Sequence, residues 1–215
     1  AAELGHPKAQ GVMATRFHFG CYGEARDDVK SVYWAKKGAA GGDMDGQFWL
    51  GWAFKKGEGG LEMNYALAAE WHAKSAAQGC VSSMNNIGHI YHKGGYGVTS
   101  NLETAVSWYN KAAEIGSVLG QFNLGCCYNN GKGVAKSLVT ARHWFQKSAD
   151  QYEEDVEDKF CASSQCKLGT MIMKGKGGGQ DPEEAVSLWK KAAAQGNKKA
   201  QDNLEKLKAL ALQVF

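Results

Sequence analysis

The feature that most constrains this chain is a spacing. Gly5, Gly42, Gly79 and Gly116 stand 37 residues apart, and a fixed step of that size marks an array in which each unit is one supersecondary element stacked on the next. Other columns keep the step: Gln10, Gln47 and, two steps on, Gln121; Gly51, Gly88 and Gly125; Phe17, Phe54, Tyr91 and Tyr128; Gly20, Gly57, Gly94 and Gly131; Trp34, Trp71 and Trp108. The later units slip. Trp144 follows Trp108 by 36 residues and Gly169 follows Gly125 by 44, which places an insertion near residues 151–160. Beyond it the order resumes, with Gln165, Leu168, Gly169, Gly175, Ala185 and Lys191 standing for Gln121, Leu124, Gly125, Gly131, Ala141 and Lys147.

Each unit reads as two helices. From Gln121 to Gly131 the positions Leu124, Gly125 and Tyr128 recur at three- and four-residue steps, one buried stripe of a helix A. From Leu138 to Ala149 the spacing of Leu138, Ala141, Phe145 and Ala149 gives a helix B. A Gly-x-Gly turn separates them (Gly57 and Gly59, Gly131 and Gly133, Gly175 and Gly177), where a residue without Cβ can take positive φ and end helix A. Gly51, Gly88 and Gly125 fall inside helix A, where glycine costs about 1 kcal/mol against alanine. Close approach of the neighbouring helix B must offset that cost, and the Trp and Ala positions of helix B are expected to supply the packing.

The pattern A-x-x-x-L-G-x-x-Y-x-x-G-x-G-V followed by A-x-x-W-Y-x-K-A-A-x-x-G resembles the Sel-1-like repeat family, a relative of the tetratricopeptide repeats. Its best copy runs through Gln121, Leu124, Gly125, Tyr128, Gly131, Gly133 and Val134 on helix A. On helix B it runs through Ala105, Trp108, Tyr109, Lys111, Ala112, Ala113 and Gly116. The resemblance covers nearly the whole chain, weakest at Arg26 to Val32 and at 151–160. It implies an all-α fold, a right-handed superhelical α-solenoid of antiparallel helix pairs. The expected organisation is a single array with units at about 6–42, 43–79, 80–116, 117–160 (carrying the insertion 151–160) and 161–196. A capping helix is expected at 197–215, because Glu205 stands where the mid-helix glycine belongs and no turn follows. Residues 1–5 match Ala112 to Gly116, so they read as the tail of a preceding repeat, and the chain is expected to be part of a longer protein.

Composition excludes several classes. Apolar content of 44% supports a continuous core. The formal charge is +3 and the lysines are spread along the chain, so nucleic acid is not an expected partner. There is no run of about 18 apolar residues to span a membrane, and residues 1–20 lack the apolar stretch of a signal peptide. The expectation is a soluble chain of unassigned compartment. Six cysteines at irregular spacings, with no CxxC pair, read as buried free thiols and favour a reducing compartment. The resemblance implies paired cysteines for secreted bacterial members, but these cysteines do not follow the repeat.

Catalytic and ligand motifs are thin. Gly131 to Ser137 imitates a phosphate loop, yet Ala135 replaces the glycine before Lys-Ser. His89 and His92 share a face of helix A without a local third ligand. His72 and His143 flank the repeat tryptophan and read as packing variants, and Cys126-Cys127 as core or groove thiols. No catalytic residue, metal ligand or cofactor site is expected. Glu153, Glu154, Asp155, Glu157 and Asp158 form an acidic stretch that reads either as a solvated extension of helix B or as a docking element for a basic partner.

Carrying over the groove positions of tetratricopeptide-like helices, the resemblance implies a concave face lined by helix A. There, Phe48, Trp52, Lys55 and Lys56 come from one unit, Asn85, His89, His92 and Lys93 from the next, and Phe122, Cys126, Asn129 and Asn130 from the third. Trp52 is not required by the repeat; it is either an exposed hot spot or packs against a neighbouring turn. The implied role is a non-enzymatic scaffold or adaptor for a protein or peptide partner, and the basic, amide-rich groove suits an extended or acidic peptide. The alternatives are a structural subunit of a large assembly and, further off, a secreted-type ligand-binding protein or hydrolase.

Overall fold

The computed structural model describes residues 1–21, 23–151 and 159–212. The acidic stretch Glu153 to Asp158 lies outside them. Eleven helices are found among the described residues: α1 (Pro7–Phe19), α2 (Asp28–Ala40), α3 (Met44–Lys56), α4 (Tyr65–Ala77), α5 (Val81–Lys93), α6 (Leu102–Glu114), α7 (Val118–Asn130), α8 (Leu138–Ala149), α9 (Lys159–Met173), α10 (Pro182–Ala194) and α11 (Lys198–Leu212). Odd-numbered helices α1 to α9 are helix A of the repeat and even-numbered ones helix B. The chain forms two compact halves, Ala1–Trp108 and Tyr109–Phe215, with the division inside α6.

The helix ends follow from the sequence columns. Helix A stops where a glycine takes the left-handed conformation, as Gly57 does at φ 70°, a geometry that a Cβ would penalise. Helix B starts at a side-chain cap: Asp27, Asn64, Asn101, Ser137 and Asp181 each accept a hydrogen bond from the backbone N–H three residues on. The backbone N–H of the cap itself donates back to the carbonyl of the aromatic column, Asp27 to Phe17, Asn64 to Phe54, Asn101 to Tyr91 and Ser137 to Tyr128, at 2.8–3.0 Å. One residue thus fixes both the start of helix B and its angle to helix A.

The mid-helix glycines do face helix B: at Gly169 the expected Ala column supplies the nearest atom, Ala185 O at 2.9 Å, whereas at Gly51 and Gly125 the nearest atoms belong to a ring outside the expected columns. A Cβ on Gly51 would lie 3.0 Å from the His72 ring, on Gly125 2.8 Å from Phe145, and on Gly169 3.0 Å from Trp189. The ring that uses the vacant space stands one residue after the tryptophan column, which Leu188 occupies in the last unit, because that position points inward where the column itself turns aside. Trp34, Trp71 and Trp144 instead lie partly buried under Lys37, Lys74 and Lys147, whose ammonium groups sit 5.4, 3.9 and 5.0 Å from the ring centroids. His72 is a packing residue, fully buried, whereas His143 is exposed.

The glutamine column is a buried amide link between helices. Gln78 donates to Gln47 at 2.8 Å, Gln151 to Gln121 at 2.7 Å and Gln195 to Gln165 at 2.8 Å, each tying the end of a helix B to the helix A before it. In the N-terminal half the core gathers Ala14, Ala35, Ala39, Trp49 and Leu50. In the C-terminal half it gathers Ala141, Phe145, Leu168, Met171 and Ile172. All six cysteines are free; Cys127, Cys161 and Cys166 are buried and the other three half-buried.

Candidate partner-binding faces

In the N-terminal half, α3 and α5 bring Trp52, Lys55, Lys56, His89 and Lys93 together. Lys55 is half-buried, and its ammonium donates to Asn86 Oδ1 at 2.6 Å. Desolvation first, then the charges of Lys56 and Lys93, lower its pKa to about 8. His89 is brought down to about 4 by desolvation, then by Lys55, Lys93, His92 and Lys56. Lys93 lies 3.3 Å from the Tyr65 hydroxyl. The side chains that shift Lys55 and His89 are basic ones, Lys56 and Lys93 for both and also Lys55 and His92 for His89.

Trp52 occupies a middle position between the two readings of it. Its indole Nε1 donates to Glu58 Oε2 at 3.2 Å in the turn after α3, while Lys55 and Lys56 stand 5.4 and 5.0 Å from its ring. Phe48 stacks on Trp52 at 6.5 Å and touches His72 at 5.6 Å.

The placement of Asn85 on an open face is corrected. It is 6% exposed, and its amide donates to Val81 O one turn back at 3.2 Å. Its column packs against helix B: Phe48 sits over His72, and Phe122 lies 6.0 Å from Phe145. A phenyl ring reaches past that contact, whereas the shorter asparagine is covered. Asn86, next to it, is the residue that meets Lys55.

In the C-terminal half, Phe122 is half-buried and Lys167 stands 5.8 Å from its ring. Asn129 is half-buried and donates to the exposed Asn130 at 2.9 Å. Burial pushes up the thiol of Cys126, and takes that of Cys127 to about 11, so neither is poised as a nucleophile.

Two arrangements were not foreseen. His18, Asp28 and Glu58 come from the end of α1, the start of α2 and the turn after α3, with potential ligand atoms all within 4.8 Å of one another. Arg26 already supplies a cation there, bonding both Asp28 oxygens at 2.9 and 3.1 Å and reaching Glu58 at 3.6 Å. Burial and then Arg26 hold the His18 pKa below its usual value. The three residues share no column or motif, so no sequence pattern announces them. The second arrangement is a lysine-walled cavity in the C-terminal half, and a charge count along helix A would have found its setting. Across α1, α3, α5, α7 and α9 the one acidic residue is Asp45, whereas helix B carries Asp28, Glu70, Glu103, Glu114, Glu183 and Glu184.

No helix among the described residues is long and apolar enough to cross a membrane. The Sel1 repeat family profile matches residues 7–43, 45–80, 81–117, 118–152 and 162–197. Comparison with curated proteins gives no match. Among solved structures, a protective antigen present in uropathogenic Escherichia coli strains, with an SLR fold, is 34% identical over 96% of this chain, with a TM-score of 0.82. The chain spans 42% of that protein's length. A Sel1 repeat protein from Oxalobacter formigenes is 27% identical over 91% of this chain and 73% of its own, at TM-score 0.76. One from Klebsiella pneumoniae shares the fold at 22% identity and TM-score 0.58, over 96% of this chain and 95% of its own. Sel1 repeats generally form non-catalytic scaffolds for protein–protein interaction. With five repeats matched and the helix-pair architecture shared, this chain belongs to the Sel1 repeat family, an all-α solenoid fold.

Proposed function

We propose that the chain is a non-enzymatic scaffold that holds an extended, acidic segment of a protein partner against its helix A faces. The observation that carries this reading is the half-buried Lys55, grouped with Lys56, Lys93 and His89, with its pKa lowered to about 8 by desolvation and by like charges. Collecting like charges costs free energy in the unbound protein, and a carboxylate-bearing segment would offset it. The near absence of acidic residues from helix A extends the same preference along the chain.

The test is fluorescence anisotropy with a labelled Glu/Asp-rich peptide and a Lys-rich peptide of equal length. The acidic peptide is expected to bind and to weaken with added salt, and Lys55→Glu with Lys93→Glu is expected to cost about tenfold or more. Binding favours the charged form of Lys55, so affinity is expected to fall as pH rises through about 8. Equal binding of both peptides, or indifference to the charge reversals, would sink the reading.

A second reading, a permanently assembled structural subunit, draws on Tyr33 on α2 and Tyr96 in the turn after α5, which are 50% and 54% exposed. Size-exclusion chromatography of extract from the protein's own source separates the two: a large particle that survives high salt favours the subunit.

A further inference from the structure

In the C-terminal half a cavity of about 190 Å³ opens between α7, α9 and α11. Lys167 of α9, Lys174 and Lys176 just after it, and Lys199 of α11 stand around it, with Thr170 and Asn129 also in its wall. Lys167 is half-buried, its ammonium held 5.8 and 5.9 Å from the rings of Phe122 and Phe145. Lys167 and Lys199 also both act on the buried Cys166 thiol, which places their charges at the same end of the cavity. None of the four lysines has a carboxylate within 4.0 Å among the described residues.

Four like charges from three segments around one opening repel one another, and an anion in the middle would offset that cost. The wall contains no arginine, so recognition there falls to ammonium groups, point charges with rotatable donors that bind a phosphoryl oxyanion through charge without a planar fork. A dianion compensates four ammonium groups better than a monoanion does. The volume is several times the roughly 30 Å³ share of one water. We propose that this cavity is an oxyanion pocket that receives a phosphorylated side chain of the bound partner. The proposal rests on the reading of helix A as the partner-binding side and adds a second, chemically distinct contact to it.

The experiment titrates the intact chain with O-phosphoserine, with serine and with acetate, followed by amide chemical shifts in α9. O-phosphoserine is expected to saturate, with the largest shifts around Lys167 and Thr170. Serine and acetate are expected to leave these amides unmoved at the same concentration. Lys167→Gln, or Lys199→Gln at an exposed position, is expected to weaken binding about tenfold, the scale of one charge-assisted hydrogen bond. Lys55→Gln is expected to leave it unchanged. Because the second phosphate proton binds with a pKa of about 6, affinity is expected to drop between pH 7.5 and pH 5. Acetate binding as well as O-phosphoserine, no saturation, or equal sensitivity to Lys55→Gln and Lys167→Gln would each overturn the pocket. An acidic peptide that binds the α3/α5 face while O-phosphoserine fails leaves the scaffold reading standing without this pocket. The reverse result removes the acidic-segment contact at the α3/α5 face, and with it the bound partner whose side chain the pocket is proposed to receive.

Discussion

His72 fills the space that Gly51 leaves open, and in doing so it gives up its charge. The ring is fully buried, Nδ1 lies 3.2 Å from Ser83 Oγ, and desolvation followed by the charge of Lys55 lowers its pKa to about 3. In the unfolded chain the same imidazole takes up a proton near pH 6.5. Between about 6.5 and 3 the unfolded state therefore binds more protons than the folded one, and stability is lost progressively as pH falls through that window. Urea melts of wild type and His72→Phe across pH 4 to 7.5 check this: the wild type is expected to lose stability more steeply toward acid, and superimposable profiles would show that His72 is not the group responsible. Phe145 occupies the equivalent place over Gly125, so the substituted ring has a precedent in the fold. The column of glycines was legible from spacing, but its partner was not. The tryptophans are the more prominent column, and only the three-dimensional direction of the side chains shows that the next residue points inward.

At the level of the helices, the bounds were legible because each has a chemical stop: Leu138 to Ala149 was read as helix B and is α8. What the sequence hid was the second half of each interaction. Gln47, Gln121 and Gln165 form a visible column, yet Gln78, Gln151 and Gln195, which bond them, lie just past the end of helix B, where the residue type is not part of the motif. Asn85 was misplaced for a related reason, since a column position says which way a side chain points and not how far it reaches. The amide pair is expected to couple helix A to helix B energetically. A double-mutant cycle on Gln165→Leu and Gln195→Leu, measured by chemical denaturation, is expected to give a coupling of about 0.5–1.5 kcal/mol, the net worth of a buried hydrogen bond. A coupling indistinguishable from zero would mean that each amide is satisfied independently, as Gln195 could be through Lys191 O at 3.1 Å.

Within each half, packing among the described residues runs mainly between helices adjacent in sequence, with α1 against α3 and α7 against α9 as the longer links. Where a helix packs mainly on its neighbours in sequence, local stability tracks how many neighbours it has. The same quasi-linear logic explains why the fold could be read from period alone while the binding faces could not. A repeat specifies what each unit buries, and the lysines of helix A follow it only in part: Lys56 and Lys93 share a column, whereas Lys55 and Lys167 do not. Lys55 and Lys93 in one half, and Lys167 and Lys199 in the other, become groups only once the helices of that half bring them together. The graded-stability argument gives a direct expectation for α11. It packs against α10, with Asn203 reaching Thr170 of α9 at 3.4 Å and Ala200 buried, but from Glu205 to Leu210 its side chains are exposed. Native-state hydrogen exchange followed by mass spectrometry is expected to find the amides beyond Leu204 exchanging fastest among the helices of the C-terminal half. The amides around Leu168 and Ile172, both fully buried in α9, are expected to exchange slowest. Equal protection in α9 and α11 would show that unfolding is all-or-none across that half, so that neighbour packing does not set local stability there.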